Sequence, residues 1–169
     1  IKLANAFGGA PVALGAAHVA LRAKGSEIVP GSDRTITFGG KPGCAVGPGM
    51  VILSDPVDLA FPALADLAVS LYFPAETGPP TTHATGLHTT YISKEGDVTG
   101  AASIADPITT QSYYFLAGID VLAPPATSLV VALGDSITDG ARSTPDTDRS
   151  WPALFAARLP CEIALVAGN

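Results

Sequence analysis

One serine in this chain stands among residues suited to covalent chemistry, in Gly134-Asp135-Ser136-Ile137-Thr138-Asp139-Gly140. A serine hydroxyl is a weak nucleophile until a base takes its proton, and the oxyanion it creates needs N–H donors. Gly134 and Gly140 allow a tight turn around Ser136. Such a turn exposes the hydroxyl and lets the backbone N–H of Ser136 point at an oxyanion. The spacing is not the G-x-S-x-G elbow, because the fifth residue is Thr138. A Gly/Asp/Ser turn that only joins a strand to a helix reads from the same residues. Asp135 and Asp139 suit ordering of the loop better than acid or base duty.

The other reactive groups form no motif. His18, His83 and His88 all precede Ser136 and read as ordinary surface or core histidines. His83 and His88 lack a clustered third ligand, and no CxxC exists, so no zinc set is expected. Asp139, Asp146 and Asp148 offer oxygens to calcium, but turn and N-cap duty accounts for them. The expectation is no metal and no cofactor. Cys44 and Cys161 allow one disulfide; two buried thiols are the simpler reading.

The elements that must hold Ser136 change character along the chain. Over the first 120 or so residues, short apolar or alternating runs end at breakers. These are Thr35–Phe38, Met50–Leu53, Asp66–Phe73, His88–Ser93 (closed by Glu95-Gly96-Asp97) and Gln111–Leu122. Ala10–Ala23 reads as strands bent at Gly15 rather than as a helix. Leu71-Tyr72-Phe73 and Tyr113-Tyr114-Phe115 should each bury one face and expose the other. Pro124-Pro125 stiffens an extended linker. Leu129–Leu133 (LVVAL) then runs without alternation, as a strand buried on both faces of a parallel sheet does. Ser150 is placed to cap a helix carrying Trp151, Leu154, Phe155, Arg158 and Leu159 at helical spacing, stopped by Pro160. Trp151 should pack this helix on the sheet. Glu162–Val166 is a second apolar run, giving β–loop–α–β.

Composition removes several classes. The chain has 169 residues, 18 Gly and 15 Pro, and 14% charged residues. An exposed helical bundle needs more charge and fewer breakers. Wholesale disorder does not fit 47% hydrophobic residues. Nine scattered Lys and Arg against 15 Asp and Glu, net −6, argue against nucleic acid. No stretch of 18 apolar residues exists, and the uncharged run near Val121–Gly134 is broken by two prolines, so no membrane span is expected. Ile1 in place of Met, with no charged-then-apolar leader, suggests a mature, processed or partial chain.

Leu133–Gly140 resembles the first block of the SGNH (GDSL-type) hydrolases, a family of esterases and lipases. Ser143–Pro152 resembles the continuation in bacterial two-domain members, where a β-sandwich precedes the catalytic domain. Ile1–Phe7, Val29–Lys41, Val51–Val57, Ala65–Tyr72 and Thr109–Asp120 resemble that sandwich. The resemblance implies a jelly-roll-like β-sandwich over 1–122, a linker over 123–128, and over 129–169 the start of an α/β flavodoxin-like SGNH domain. It implies that Ser136 is the nucleophile and that its N–H is one oxyanion donor. The family's second donor is a glycine. In one alignment Gly168 takes that place; in the other, where Gly168-Asn169 closes the block, Leu165 stands there. The family's Asn donor and its closing D-x-x-H block match nothing here. The resemblance therefore implies that the chain stops early in the catalytic domain, whose remainder supplies Asp and His. It further implies a secreted protein acting on esters, either acyl lipids or acetylated saccharides. A reading of a different class is a non-catalytic carbohydrate-binding or structural β-sandwich with a vestigial hydrolase tail.

Overall fold

The computed structural model describes residues 1–94 and 96–160, and the backbone of 163–168. Cys161, and with it the pairing of Cys44, lies outside the described residues, as do Glu95, Glu162 and Asn169. Cys44 itself is half-buried, and burial pushes its thiol up.

The chain is rich in strands and poor in helix. In order these are β1 (Lys2–Ala4), β2 (Val12–Leu14), β3 (Ala16–Lys24), β4 (Glu27–Ile28), β5 (Arg34–Thr35), β6 (Cys44–Val46) and β7 (Val51–Leu53). There follow β8 (Leu67–Tyr72), β9 (Thr82–His83), β10 (Thr90–Ile92), β11 (Ile108–Thr110), β12 (Tyr113–Tyr114) and β13 (Leu116–Gly118). After them come β14 (Ser128–Leu133), α1 (Ser136–Asp139), α2 (Trp151–Ala156) and β15 (Ile163–Gly168).

Among the described residues, two larger antiparallel sheets and the antiparallel β2–β6 pair share one core. In the first, β1 lies between β13 and β7. In the second, β3 pairs with β8 on one edge and with β5 on the other, and β4 pairs with its far end. Alternation along β3 sends Ala17 and Val19 into the core, where they meet Leu3, Leu14 and Ile36. Leu67, Val69 and Leu71, alternate residues of β8, pack against the same cluster. Ala10–Ala23 thus forms two strands, with Gly15 as the bend. The N–H of Gly15 donates to Tyr72 O at 2.8 Å, and a Cβ there would lie 2.9 Å from the Tyr72 ring. The aromatic run ending the β-rich part is broken at Phe115, whose φ of 60° separates β12 from β13. Phe115 is buried, with its ring 4.9 Å from that of Phe73. Asn5 ties β1 to its surroundings: its Nδ2 donates to Ala10 O at 2.9 Å and to Val46 O at 3.0 Å.

The stretch 123–128 departs from the expected extended linker. Thr127 N donates to Pro124 O at 2.9 Å, closing a turn with Pro125 at its second position, where proline's fixed φ fits. Beyond it, β14 and β15 pair in parallel, from Ser128 beside Ile163 to Leu133 beside Gly168. This is the β–loop–α–β unit read from the apolar runs. One expectation is corrected. β14 is not covered on both faces, because Leu129, Val131 and Leu133 are 61%, 66% and 84% exposed while Ala132 is buried. The β-rich part does not reach that face, and the two short helices following β14 leave it open. Trp151, Leu154 and Phe155 of α2 are also substantially exposed. Helix α2 closes at Ala157, before Pro160 is reached. No helix among the described residues is long and apolar enough to cross a membrane.

Candidate active site

The site begins where β14 ends. Asp135, in extended conformation, caps α1: its Oδ1 accepts from Ile137 N at 2.9 Å. Ser136 is therefore the first residue of the helix, and it is exposed. A backbone N–H in that position has no partner within its own helix. Among the described residues, neither the N–H nor the hydroxyl of Ser136 donates to any group. Gly140 ends α1 in the left-handed region, at φ 104°. A Cβ at Gly140 would meet Leu87 Cδ1 at 2.7 Å and Ser150 Cβ at 2.9 Å, so only glycine lets these segments approach. Gly168 closes β15 directly beside Leu133. The carboxyl ends of both parallel strands thus lie together, where open α/β sheets bind ligands.

Thr138 is the buried member of α1. Its Oγ1 accepts from Trp151 Nε1 at 3.3 Å. Trp151 thus tethers α2 to α1 by its indole N–H, with nearly half of its surface exposed. Ser150 caps α2, its Oγ accepting from Ala153 N at 3.4 Å.

The segment after Ser136 rests on residues 83–89. His83 Nε2 lies 3.0 Å from Asp139 Oδ2, and His88 Nε2 lies 3.1 Å from Asp148 Oδ1. Asp146 takes the N–H of Thr89 at 2.8 Å and its hydroxyl at 2.6 Å, and gives its own N–H to Leu87 O at 2.8 Å. Leu87, Asp146 and Asp148 all hold positive φ, between 50° and 58°. Such backbone persists only where surrounding contacts over-determine it. His83 sits opposite Tyr113 in the β9–β12 pair, with ring centroids 6.1 Å apart. Burial, then the carboxylates of Asp148, Asp146, Asp66 and Asp139, push the Tyr113 phenol up to about 12.

Burial raises the Asp146 carboxyl, but the Thr89 hydroxyl and N–H, then the charges of Arg22 and His88, outweigh it and leave it below the ordinary value. A lowered pKa stabilises the folded state above the unfolded value, and that contribution is lost as pH falls through the folded one. Thr89→Val keeps the side-chain shape and the N–H but removes the hydroxyl. The titration midpoint of Asp146, followed by carboxyl-carbon NMR, is expected to rise, so that the loop loosens at higher pH than in the parent. An unmoved midpoint would mean that the hydroxyl does not hold this carboxylate.

Two cavities adjoin the site. A small one of about 60 Å³, between His88, Asp139, Asp148 and Arg149, has room for water only. An open cleft of about 970 Å³ runs under β8 and β10, lined by Phe73, Tyr91, Tyr113, Tyr114 and the Arg22–Asp66 ion pair. His88 borders both. Among the described residues no three His, Cys, Asp or Glu side chains converge as a metal-ligand set.

Ser136, Asp135, Asp139 and the backbone of Gly168 therefore gather at one end of the parallel pair. His83 and His88, read from sequence as ordinary histidines, both reach the loop after Ser136. Nothing in their spacing points there: His83 and Asp139 are 56 positions apart. No histidine bonds to Ser136 among the described residues. The chain matches no protein-family model and no curated protein.

Proposed function

We propose that Ser136 is the nucleophile of a carboxylic-ester hydrolase of the SGNH type. The observation that carries this reading is an exposed serine hydroxyl on the first residue of a capped helix, immediately after the carboxyl end of a parallel strand. Ser136 Oγ attacks the ester carbonyl carbon and its proton passes to a base. The tetrahedral intermediate collapses, the alcohol leaves with that proton, and water releases the acid from the acyl-enzyme. The N–H groups of Ser136 and Gly168 stabilise the oxyanion, an effect of about 3 kcal/mol per donor. Asp135 and Asp139 order the loop. The base belongs to the remainder of a flavodoxin-like catalytic domain over which β14 and β15 are the opening strands. The exposed Leu129, Val131 and Leu133 supply an apolar face for that remainder to cover. The β-rich part is, in this reading, a jelly-roll-like sandwich over 1–122, joined through 123–128, in a secreted protein acting on acyl lipids or acetylated saccharides.

A fluorophosphonate probe tests the assignment. The full protein is expected to gain one adduct that maps to Ser136. A folded protein without that adduct would remove the hydrolase reading. A second reading is favoured by the cleft: its tyrosines and neutralised Arg22–Asp66 pair suit a neutral saccharide, which stacks on aromatic faces. Saccharide binding that survives in a protein inert to the probe would put this binding-module reading first.

A further inference from the structure

Helix α1 has four residues and cannot fix its own direction, because one turn carries too few hydrogen bonds to persist alone. Its orientation comes from outside. On one side Thr138 is buried and holds the Trp151 indole. On the other, Asp139, three residues from Ser136, meets His83 at 3.0 Å. His83 stands on paired β9, beside the half-buried Tyr113, so it is a fixed point rather than a loose surface side chain. The grips on Asp146 and Asp148 lie further along the loop and hold it without touching the helix. The groups facing His83 are Asp139 and Tyr113.

We propose that His83 is a positioning residue for the nucleophile: by holding Asp139 it sets the direction in which α1 presents Ser136. The β-rich part would then complete the catalytic geometry rather than merely precede it. This inference rests on the reading of Ser136 as nucleophile. The pair is 44% and 27% exposed at its side chains, and a polar contact this open adds little to stability. Its effect is geometric, so the rate should fall while the fold stays.

The test uses the full protein. His83→Ala is expected to slow phosphonate labelling of Ser136, and kcat on a nitrophenyl ester, by about 10- to 100-fold, with KM nearly unchanged. His83→Gln retains an N–H donor and should recover most of the rate. Asp139→Ala should match His83→Ala, and the double variant should lose no more than either. Asp55→Ala removes the acceptor of Thr37, Gly39 and Gly40, in a turn outside the site. It serves as a control that lowers stability without touching kcat. Labelling of His83→Ala at the parent rate would overturn the positioning role, as would losses that simply follow the melting temperature in His83→Ala and Asp55→Ala alike. A parent protein that takes no probe at Ser136 fails at the earlier step, and the nucleophile reading falls together with the positioning role. A labelled parent beside an unaffected His83→Ala sinks the positioning role alone.

Discussion

Ser136→Ala is expected to lower kcat for ester hydrolysis by about 10⁴-fold or more, with KM little changed and no probe adduct. The size follows from the step removed. On the proposed mechanism, loss of the hydroxyl leaves no acyl-enzyme, and only binding and oxyanion stabilisation remain to accelerate attack by water. The fold should not respond. The side chain is exposed and makes no hydrogen bond among the described residues, and surface changes of that kind stay within about 0.5 kcal/mol. Kinetics therefore separate the chemistry from the scaffold cleanly. A variant that keeps hydrolysing at the parent rate would show that Ser136 is a turn residue and nothing more.

How far such a site can be read from residues alone depends on the range of the contacts that build it. Local ones were legible. Ser150 caps α2 because a serine before a proline-started apolar helix has few other uses. The runs LVVAL and Glu162–Val166 each mark a strand by their lack of alternation, and the strands found there, Ser128–Leu133 and Ile163–Gly168, pair in parallel. Gly15 marks the bend of Ala10–Ala23 by residue type alone, although the Tyr72 ring that a side chain there would strike lies far along the chain. What escaped depends on partners distant in sequence. No pattern in Thr82-His83 or Tyr113-Tyr114 announces that these two-residue strands pair, or that doing so delivers His83 to Asp139. The exposure of Leu129, Val131 and Leu133 escaped for the same reason, because burial belongs to what lies against a strand and not to the strand. The Asp139, Asp146 and Asp148 trio carries a signal that a local reading misses. Three carboxylates near one loop can be partnered by two histidines five positions apart as well as by water or a cation.

Gly134→Ala is expected to abolish presentation of Ser136, with labelling slowed by about 100-fold or more. A Cβ at Gly134 would lie 2.1 Å from Thr138 Oγ1 and 2.8 Å from Thr138 Cβ. The neighbour cannot simply rotate away. Thr138 is β-branched, buried and bonded to the Trp151 indole, so its χ1 is held on both counts. Relief must come from the backbone, by swinging α1 off the end of β14 or by releasing Trp151 and α2. Either movement displaces the Ser136 N–H as well as its hydroxyl, which is why the rate should suffer more than the melting temperature. Thr138→Ala in the same chain removes the 2.1 Å contact but leaves the one at 2.8 Å, so it should restore part of the labelling and not all of it. Indole fluorescence of Trp151, the chain's single tryptophan, reports the second route directly. If Gly134→Ala labels as fast as the parent, the turn tolerates a side chain and the Gly134–Thr138 approach does not set the position of Ser136.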